Sequence, residues 1–320
     1  MERFETYQQM RHKIGELYQQ QDLVSVVEIL KWGLKAFPDH LQANVFNLAL
    51  CQVQLSMMDQ AVETLNYGLD RGIWFGPFEI GADAWEPLRD FEPFEDVQAR
   101  YETLRGQAQK SAKPLLDIDL PESYVPERTF PLFIAFHGGG ETVKDFKGNW
   151  QSPILKNDFL VAYPQSSRVI SMDGYSWMGK PPDQQEILKA YQKILLEFPV
   201  DMDCVLLGGF SSGGHFALTL LLEEVLLFPF QGFVVLCPPV PDVVPIDAVK
   251  RIVNRGQRGV LLTTEMDHRV KAQEKFAMVL ESGGVPIRFE VFPDIGHWYP
   301  SDLDDKMDQA IKFILQSNGT

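Results

Sequence analysis

The sequence has few of the features that identify disulfide-rich, membrane-spanning or secreted proteins. It has only three cysteines, Cys51, Cys204 and Cys237, far apart in the chain. Two of them fall in strand-like apolar runs, so we expect buried thiols rather than a disulfide framework. No apolar run approaches the roughly 20 residues that a membrane-spanning helix needs. The first residues, Met1 to Thr6, are polar and lack the apolar segment of a secretory signal. These absences lead us to expect a cytoplasmic protein.

Basic residues are also scarce. The chain has 29 Lys and Arg against 44 Asp and Glu, a formal net charge of −15. Nucleic acids and anionic membrane surfaces attract basic patches, so we expect neither as a partner. His, Cys, Asp and Glu do not recur at metal-ligand spacings, so we expect no metal and no other cofactor. The 320 residues, 45% of them apolar, exceed one average domain and suffice for more than one core.

The most informative segment is Gly209-Phe210-Ser211-Ser212-Gly213. It follows an apolar, strand-like run, Cys204 to Leu207, and precedes a helix-like stretch, His215 to Leu227. A serine on a sharp turn between strand and helix has a strained backbone, and glycine neighbours let the chain fold back and expose its Oγ. Strand, G-x-S-x-G and helix together are typical of a nucleophile elbow, which predicts Ser211 as a nucleophile.

Two strand-like runs downstream lead into the partners that a serine nucleophile needs. Arg258–Thr264 leads into Asp267, and Ile287–Phe292 leads into His297. A serine hydroxyl needs an imidazole to take its proton, and the imidazole needs a carboxylate to fix its tautomer. The order serine, acid, histidine fits this arrangement. We therefore predict Asp267 as the acid and His297 as the base, with Glu265 as the alternative acid.

A glycine-rich turn provides candidate donors for an oxyanion. The short apolar strand Phe133–Phe136 is followed, after one histidine, by Gly138, Gly139 and Gly140. Backbone N–H groups must approach a developing oxyanion closely, which favours glycine. We predict Gly139 as the loop donor, with Gly138 and Gly140 as close alternatives, beside the N–H of Ser212 after the nucleophile.

From about Leu115 to Ser317 the chain resembles the α/β-hydrolases of the esterase, phospholipase and carboxylesterase group. The segments that carry the resemblance are HGGG at 137–140, FPVDMDCVLLGGFSSGG at 198–214, TTEMDHRV at 263–270 and DIGHWYP at 294–300. The resemblance implies a serine hydrolase with Ser211, Asp267 and His297 as its triad. The Asp-x-x-Val spacing at 267–270 fits the family pattern better than Glu265 does, and the family's histidine before the glycines is structural.

The reaction that the resemblance implies is cleavage of a small-molecule carboxylic ester through an acyl-enzyme. A thioesterase or a serine peptidase on the same fold is the alternative. Another alternative is a helical-repeat interaction scaffold with a secondary hydrolase domain.

Strand-like runs recur through the second part of the chain, at 115–120, 131–136, 159–163, 203–208, 232–237, 258–264 and 287–292. Helical patterns lie between most of them, which predicts an α/β-hydrolase fold with a mainly parallel sheet and helices on both faces. Only Pro238 to Gln257 separates two of these runs, which leaves no room for a large lid. Pocket walls must then come from other loops. The aromatic candidates are Tyr175, Trp177 and Trp298, for which packing in the core is the alternative.

The first part of the chain lacks strand-like runs, which predicts a small all-helical domain at 1–110 before the catalytic domain at 111–320. Segments Leu23–Phe37 and Met58–Gly72 match at an offset of 35 positions and resemble tetratricopeptide repeats. A generic helical hairpin is the alternative. Because two repeats rarely stand alone, we expect this region to dock on the catalytic domain or to bind a protein partner. The sequence makes no prediction of oligomeric state.

Overall fold

The computed structural model describes residues 3–224 and 227–316. It divides into two compact units, Met1–Ser111 with Ile170–Met172, and Ala112–Val169 with Asp173–Thr320. The ends of the predicted domains, at 1–2 and 317–320, and positions 225–226 of the predicted helix after Ser211 lie outside the described residues. Within the described part of the chain, no helix is both long and apolar enough to cross a membrane.

Residues 3–111 of the first unit are helical, as their lack of strand-like runs predicted. Its helices are α1 (Tyr7–Gln19), α2 (Leu23–Ala36), α3 (Leu41–Gln54), α4 (Met58–Leu69), α5 (Pro77–Ile80), α6 (Glu86–Arg89) and α7 (Pro93–Ser111). Local hydrogen bonds set where the first two begin. Thr6 and Gln9 form a reciprocal capping box at α1, and the Asp22 side chain accepts the Ser25 N–H at α2. Each cap satisfies N–H groups that have no partner inside the helix.

The two matched segments form α2 and α4. The glycine that they share is needed in both helices for the same physical reason. A Cβ at Gly33 would lie 2.8 Å from Met10 Sδ, and one at Gly68 would lie 3.0 Å from Val45 Cγ1. A neighbouring helix therefore approaches closely at both positions.

Trp85 is also buried within this unit, with its ring 5.2 Å from that of Phe46. The resemblance to tetratricopeptide repeats itself stays a prediction.

The second unit contains a seven-stranded sheet in the order β1-β3-β2-β6-β7-β8-β9. The strands are β1 (Leu115–Asp119), β2 (Phe130–Phe136), β3 (Leu160–Gln165), β6 (Val200–Phe210), β7 (Gly232–Leu236), β8 (Arg258–Thr264) and β9 (Ile287–Phe292). A two-stranded ribbon joins β4 (Val169–Ser171) to β5 (Gly174–Tyr175), which the sequence analysis did not predict. β1 pairs with β3 in the antiparallel sense, and the other pairs of the large sheet are parallel. The predicted fold class, a mainly parallel sheet after a helical region, is confirmed.

Helices cover both faces of this sheet. They are α8 (Val143–Lys147), α9 (Pro153–Asp158), α10 (Pro181–Glu197), α11 (Ser212–Leu222), α12 (Ile246–Asn254), α13 (Val270–Ser282) and α14 (Leu303–Leu315). Alternate residues of β2 point to opposite faces, so Ile134 and Phe136 join a core with α10 and α11, while Phe133 and Ala135 join one with α8 and α14. A parallel sheet covered on both faces has such continuously apolar strands. The predicted helix after Ser211 ends earlier than expected, at Leu222.

The turn from β6 into α11 needs glycine at position 213 because a side chain would not fit there. A Cβ at Gly213 would lie 2.1 Å from the carbonyl oxygen of Phe136 and 2.5 Å from that of His137. Both atoms belong to the backbone, which cannot rotate away as a side chain can. The start of α11 is thus packed directly against the end of β2.

Replacing Gly213 by alanine should destabilise the protein by roughly 1–3 kcal/mol, the usual cost of overpacking. Gly148→Ala is the matched control, because Gly148 has φ −66° and no atom within 4 Å of a Cβ. The control should change the free energy of unfolding by less than about 0.5 kcal/mol. Urea unfolding followed by circular dichroism measures both. Equal stabilities of the two variants would contradict the steric argument.

Candidate active site

Side chains from three loops meet past the carboxyl ends of β6, β8 and β9. Ser211 follows β6 directly, Asp267 lies in the turn after β8, and His297 lies in the loop after β9. In open parallel sheets, the loops at this edge form the crevice where ligands bind. The alternation of strands and helices therefore brings together three residues that are far apart in the sequence.

A continuous chain of hydrogen bonds joins these three side chains. His297 Nδ1 lies 2.8 Å from Asp267 Oδ2, and His297 Nε2 lies 2.8 Å from Ser211 Oγ. Because a carboxylate only accepts, Nδ1 donates to Asp267 and leaves Nε2 to accept the serine proton. The Asp267 side chain is fully buried, whereas that of His297 is partly exposed. This arrangement can activate a serine hydroxyl for attack.

Ser211 has the backbone conformation of a strained turn. Its φ is +50° and its ψ is −115°, a combination that L-residues rarely adopt. Two hydrogen bonds of 2.9 Å hold it there, one from its N–H to Leu236 O and one from the His215 N–H to its own carbonyl. Strain of this kind persists only where the surroundings impose it, and it is concentrated at functional sites.

The two alternative acids have different surroundings. The Asp267 carboxylate contacts the imidazole of His297, as described above. Glu265 is exposed, and its Oε2 accepts the backbone N–H of Asp294 at 3.0 Å. In this structure the carboxylate on the histidine is therefore that of Asp267.

Arg269 belongs to this cluster, although the sequence analysis assigned it no role. Its backbone N–H and its Nε donate to Asp267 Oδ1 at 2.9 and 3.1 Å. Its Nη2 lies 3.0 Å from Nδ1 and 3.3 Å from Nε2 of His297. Both ring nitrogens already have partners, so the guanidinium acts on the imidazole as a neighbouring cation. In the sequence, the signal that could have identified Arg269 is its position two residues after the predicted acid.

These contacts shift the pKa values of both titratable members of the chain. Burial raises the pKa of Asp267, but hydrogen bonds from Arg269 and His297 outweigh it and bring the value to about 2. Burial lowers the pKa of His297, and Arg269 lowers it further, while the hydrogen bond to Asp267 raises it. The net result is a histidine whose pKa is below its ordinary value, so it is neutral and able to accept a proton near pH 7.

Cys237 lies against the same two side chains. Its Sγ, a carboxylate oxygen of Asp267 and a ring nitrogen of His297 all lie within 4.8 Å of one another. Such a set could in principle ligate a metal, which sequence spacing did not reveal. Burial raises the pKa of the thiol to about 11, however, and the cation of Arg269 occupies the same carboxylate. The group therefore fits a hydrogen-bonded serine site better than a metal site.

The predicted oxyanion donors differ in whether their N–H groups are free. The Gly138 N–H donates to Glu141 Oε2 at 2.6 Å, and the Gly140 N–H donates to Tyr175 O at 2.9 Å. The N–H groups of Gly139 and Ser212 donate no hydrogen bond to any group in residues 3–224 and 227–316. The structure thus gives two of the expected donors other acceptors and leaves Gly139 and Ser212 open.

His137, which precedes the glycines, is fully buried. Its Nδ1 donates to Gly138 O at 2.8 Å, and its Nε2 accepts the Ser166 N–H at 3.3 Å. Burial lowers its pKa to about 4, so the ring is neutral. Its hydrogen bonds connect the glycine turn to the end of β3, which is a structural role.

The three aromatic pocket candidates lie in different environments. Trp177 is buried in the core, stacked on Phe216 with ring centroids 4.9 Å apart, which favours the alternative of core packing for it. Tyr175 is half-buried beside the glycine turn. Trp298 is 60% exposed next to His297 and meets the edge of Phe210. Trp298 and Tyr175 therefore stay candidates for a pocket wall.

The solved structures that are similar to this chain include two with TM-scores of 0.53 and 0.50. An uncharacterized protein from Bacillus cereus ATCC 10987 matches over 97% of this chain and 99% of its own, with 23% identity and a TM-score of 0.53. Esterase PE8 matches over 63% of this chain and 100% of its own, with 17% identity and a TM-score of 0.50. No protein-family model and no curated protein matches the sequence. At these identities the similarity concerns the fold, which the chain shares with an esterase.

We expect an NMR titration to show a pKa of His297 below the ordinary value of about 6.5. Arg269→Met should raise that pKa, because it removes a cation that disfavours the imidazolium. Arg269→Lys keeps the positive charge and should raise it less. ¹⁵N-histidine spectra measure all three proteins, with His297→Gln to assign the signal among the six histidines. An unchanged or lower pKa in Arg269→Met would contradict the assigned effect of the guanidinium.

Proposed function

We propose that this chain is a serine hydrolase that cleaves carboxylic esters through an acyl-enzyme. The observation that carries the proposal is the hydrogen-bond chain from Ser211 Oγ through His297 to Asp267. The strained turn at Ser211 and the free N–H groups of Gly139 and Ser212 support it further. The esterase among the similar structures agrees with this reaction class.

In the first half of the reaction, Ser211 Oγ attacks the ester carbonyl while His297 Nε2 takes its proton. Asp267 stabilises the imidazolium that forms. The N–H groups of Gly139 and Ser212 donate to the oxyanion of the tetrahedral intermediate. The intermediate then collapses, and His297 gives its proton to the departing alkoxide, which leaves as the alcohol.

In the second half, water replaces the alcohol. His297 takes a proton from the water, whose oxygen attacks the acyl carbon, and the bond to Ser211 Oγ breaks as the proton returns to that oxygen. The carboxylic acid leaves and the free enzyme is restored. Arg269 opposes the charge on the imidazolium while Asp267 supports it, so the histidine can both take up and release a proton near neutral pH.

The exposed side chains at the rim of the site favour an ester substrate with an apolar group. Met266 and Trp298, the neighbours of Asp267 and His297, are 69% and 60% exposed. A hydrogen bond of 3.0 Å from the Met266 N–H to Ile295 O joins their loops. Between β7 and β8 the only described helix is α12, of nine residues, so this segment supplies no large lid. Thioesters and peptides would use the same chemistry, so a comparison of initial rates with p-nitrophenyl esters, acyl-CoA and aminoacyl-proline compounds distinguishes the three substrate classes.

Ser211→Ala should lower ester hydrolysis by at least about 10³-fold, because it removes the nucleophile. Ser212→Ala is the matched control: it keeps the backbone N–H, and it removes a buried hydroxyl that has no hydrogen-bond partner. Initial rates with p-nitrophenyl acetate measure both. Mass spectrometry after fluorophosphonate labelling should find the label on Ser211. If Ser211→Ala stayed active and Ser212→Ala were inactive, the nucleophile would be Ser212 and not Ser211.

Asp267→Asn should lower kcat by about 10³- to 10⁴-fold, since an amide cannot stabilise the imidazolium and favours the wrong tautomer. Glu265→Gln should leave kcat within about threefold of the parent, since a glutamine oxygen can still accept the Asp294 N–H. Steady-state kinetics of the two variants give the ranking. The reverse ranking would assign the acid to Glu265.

A further inference from the structure

Of the N–H groups of Gly138, Gly139 and Gly140, that of Gly139 alone has no acceptor within residues 3–224 and 227–316. The Gly138 N–H donates to the carboxylate of Glu141, and the Gly140 N–H donates to the carbonyl of Tyr175. The Glu141 N–H donates to Gly138 O at 3.3 Å, and the Tyr175 N–H returns a bond to Glu141 O at 3.2 Å. Gly139 is left at the tip of a turn that is fixed on both sides.

The Glu141 side chain lies tightly against this turn. A Cβ at Gly138 would lie 2.7 Å from Glu141 Oε2 and 2.7 Å from Phe210 Cδ1. The carboxylate and the Phe210 ring therefore fill the space where a side chain at Gly138 would lie. The absence of a side chain at Gly138 makes room for the carboxylate rather than for a substrate.

The same carboxylate also binds the loop that carries His297. The Tyr299 hydroxyl lies 2.8 Å from Glu141 Oε1 and 2.9 Å from Oε2. Burial and the nearby carboxylate raise the pKa of Tyr299, so its hydroxyl remains a donor. The Tyr299 ring is buried against Phe210, with centroids 4.3 Å apart, and Phe210 stacks on His297 at 4.9 Å. Glu141 is thus hydrogen-bonded to both the turn and the histidine loop.

We propose that Glu141 is a positioning residue that fixes the Gly139 N–H for the oxyanion and holds the turn in register with the His297 loop through Tyr299. This inference rests on the proposed function. It does not require Glu141 to touch the substrate.

The physical reason for such a device is preorganisation. Donors stabilise a developing oxyanion most when they are in place before the charge forms, since no energy is then spent on reorienting them. A turn of three successive glycines is too flexible to hold one N–H direction by itself. A partly buried carboxylate beside aromatic rings would in turn be costly without donors, and Gly138 and Tyr299 supply them. Burial raises the pKa of Glu141, while the hydrogen bonds from Tyr299 and Gly138 lower it.

The test is a set of variants in which transition-state stabilisation is separated from substrate binding. Glu141→Ala should lower kcat by roughly 10- to 100-fold with KM within about threefold, a smaller loss than removal of an oxyanion donor. The Ki of a trifluoromethyl ketone, whose adduct with Ser211 carries an oxyanion, should rise by the same factor. Glu141→Gln can still accept the Gly138 N–H and should recover most of the lost kcat.

A double-mutant cycle tests the link to the histidine loop. Tyr299→Phe should lower kcat less than Glu141→Ala does, and the double variant should be no slower than Glu141→Ala alone, because both act through one network. Tyr163→Phe is the matched control. It removes a buried tyrosine hydroxyl that donates to Trp150 O at 3.1 Å, away from the site, and should leave kcat unchanged. If Glu141→Ala fails to fold, Glu141→Asp retracts the carboxylate from Gly138 and should show the same pattern.

Three results would overturn the inference: parental kcat in the folded Glu141 variants, additive losses in the cycle, or a loss that appears only in KM. The failure of the proposed function has a different signature. Ser211→Ala would then retain activity in the same assay, whereas an inactive Ser211→Ala beside an unaffected Glu141→Ala would reject the inference alone.

Discussion

The close contact between the start of α11 and the end of β2 is the constraint on which the rest of the site depends. With no side chain at Gly213, its backbone approaches the carbonyl groups of Phe136 and His137. This contact brings the first N–H groups of α11 beside the glycine turn that follows β2. Two residues earlier the chain turns at Ser211, which has a positive φ. The proposed nucleophile and the proposed oxyanion donors therefore all lie next to this one close contact.

The electrostatics of the site depend on the buried carboxylate of Asp267, which has two hydrogen-bond partners. Asp267 binds the imidazole through Oδ2 and the guanidinium of Arg269 through Oδ1. The first contact makes His297 more basic, and the second provides a cation that makes it less basic. A base that must take up a proton and then release it in the same reaction works best between these extremes. The hydrogen bonds of Glu141 to Gly138 and Tyr299 extend this network, and in our proposal they hold the Gly139 N–H in place for the oxyanion.

Much of the fold could be predicted because its signals are local. The run Arg258–Thr264 matches β8, since a strand buried on both faces needs a nearly unbroken run of apolar residues. Ile287–Phe292 matches the edge strand β9, in which the polar residues Arg288 and Glu290 alternate with apolar ones. The G-x-S-x-G pattern likewise reports a local backbone requirement at Ser211. The ribbon of β4 and β5 was missed because two- and three-residue strands leave no periodic pattern.

The sequence by itself determined the order of strands and helices, the turn at Ser211 and the short set of residues from which a serine site could be built. The tertiary structure alone decided which members of that set meet. It brought Asp267 rather than Glu265 to the imidazole, buried Trp177 in the core, and gave Gly138 and Gly140 acceptors while leaving Gly139 free. It also paired Glu141 with Tyr299, which lies 158 positions away. The reason is physical: residue patterns report the local backbone, whereas a hydrogen bond requires two distant segments to be placed within a few tenths of an ångström.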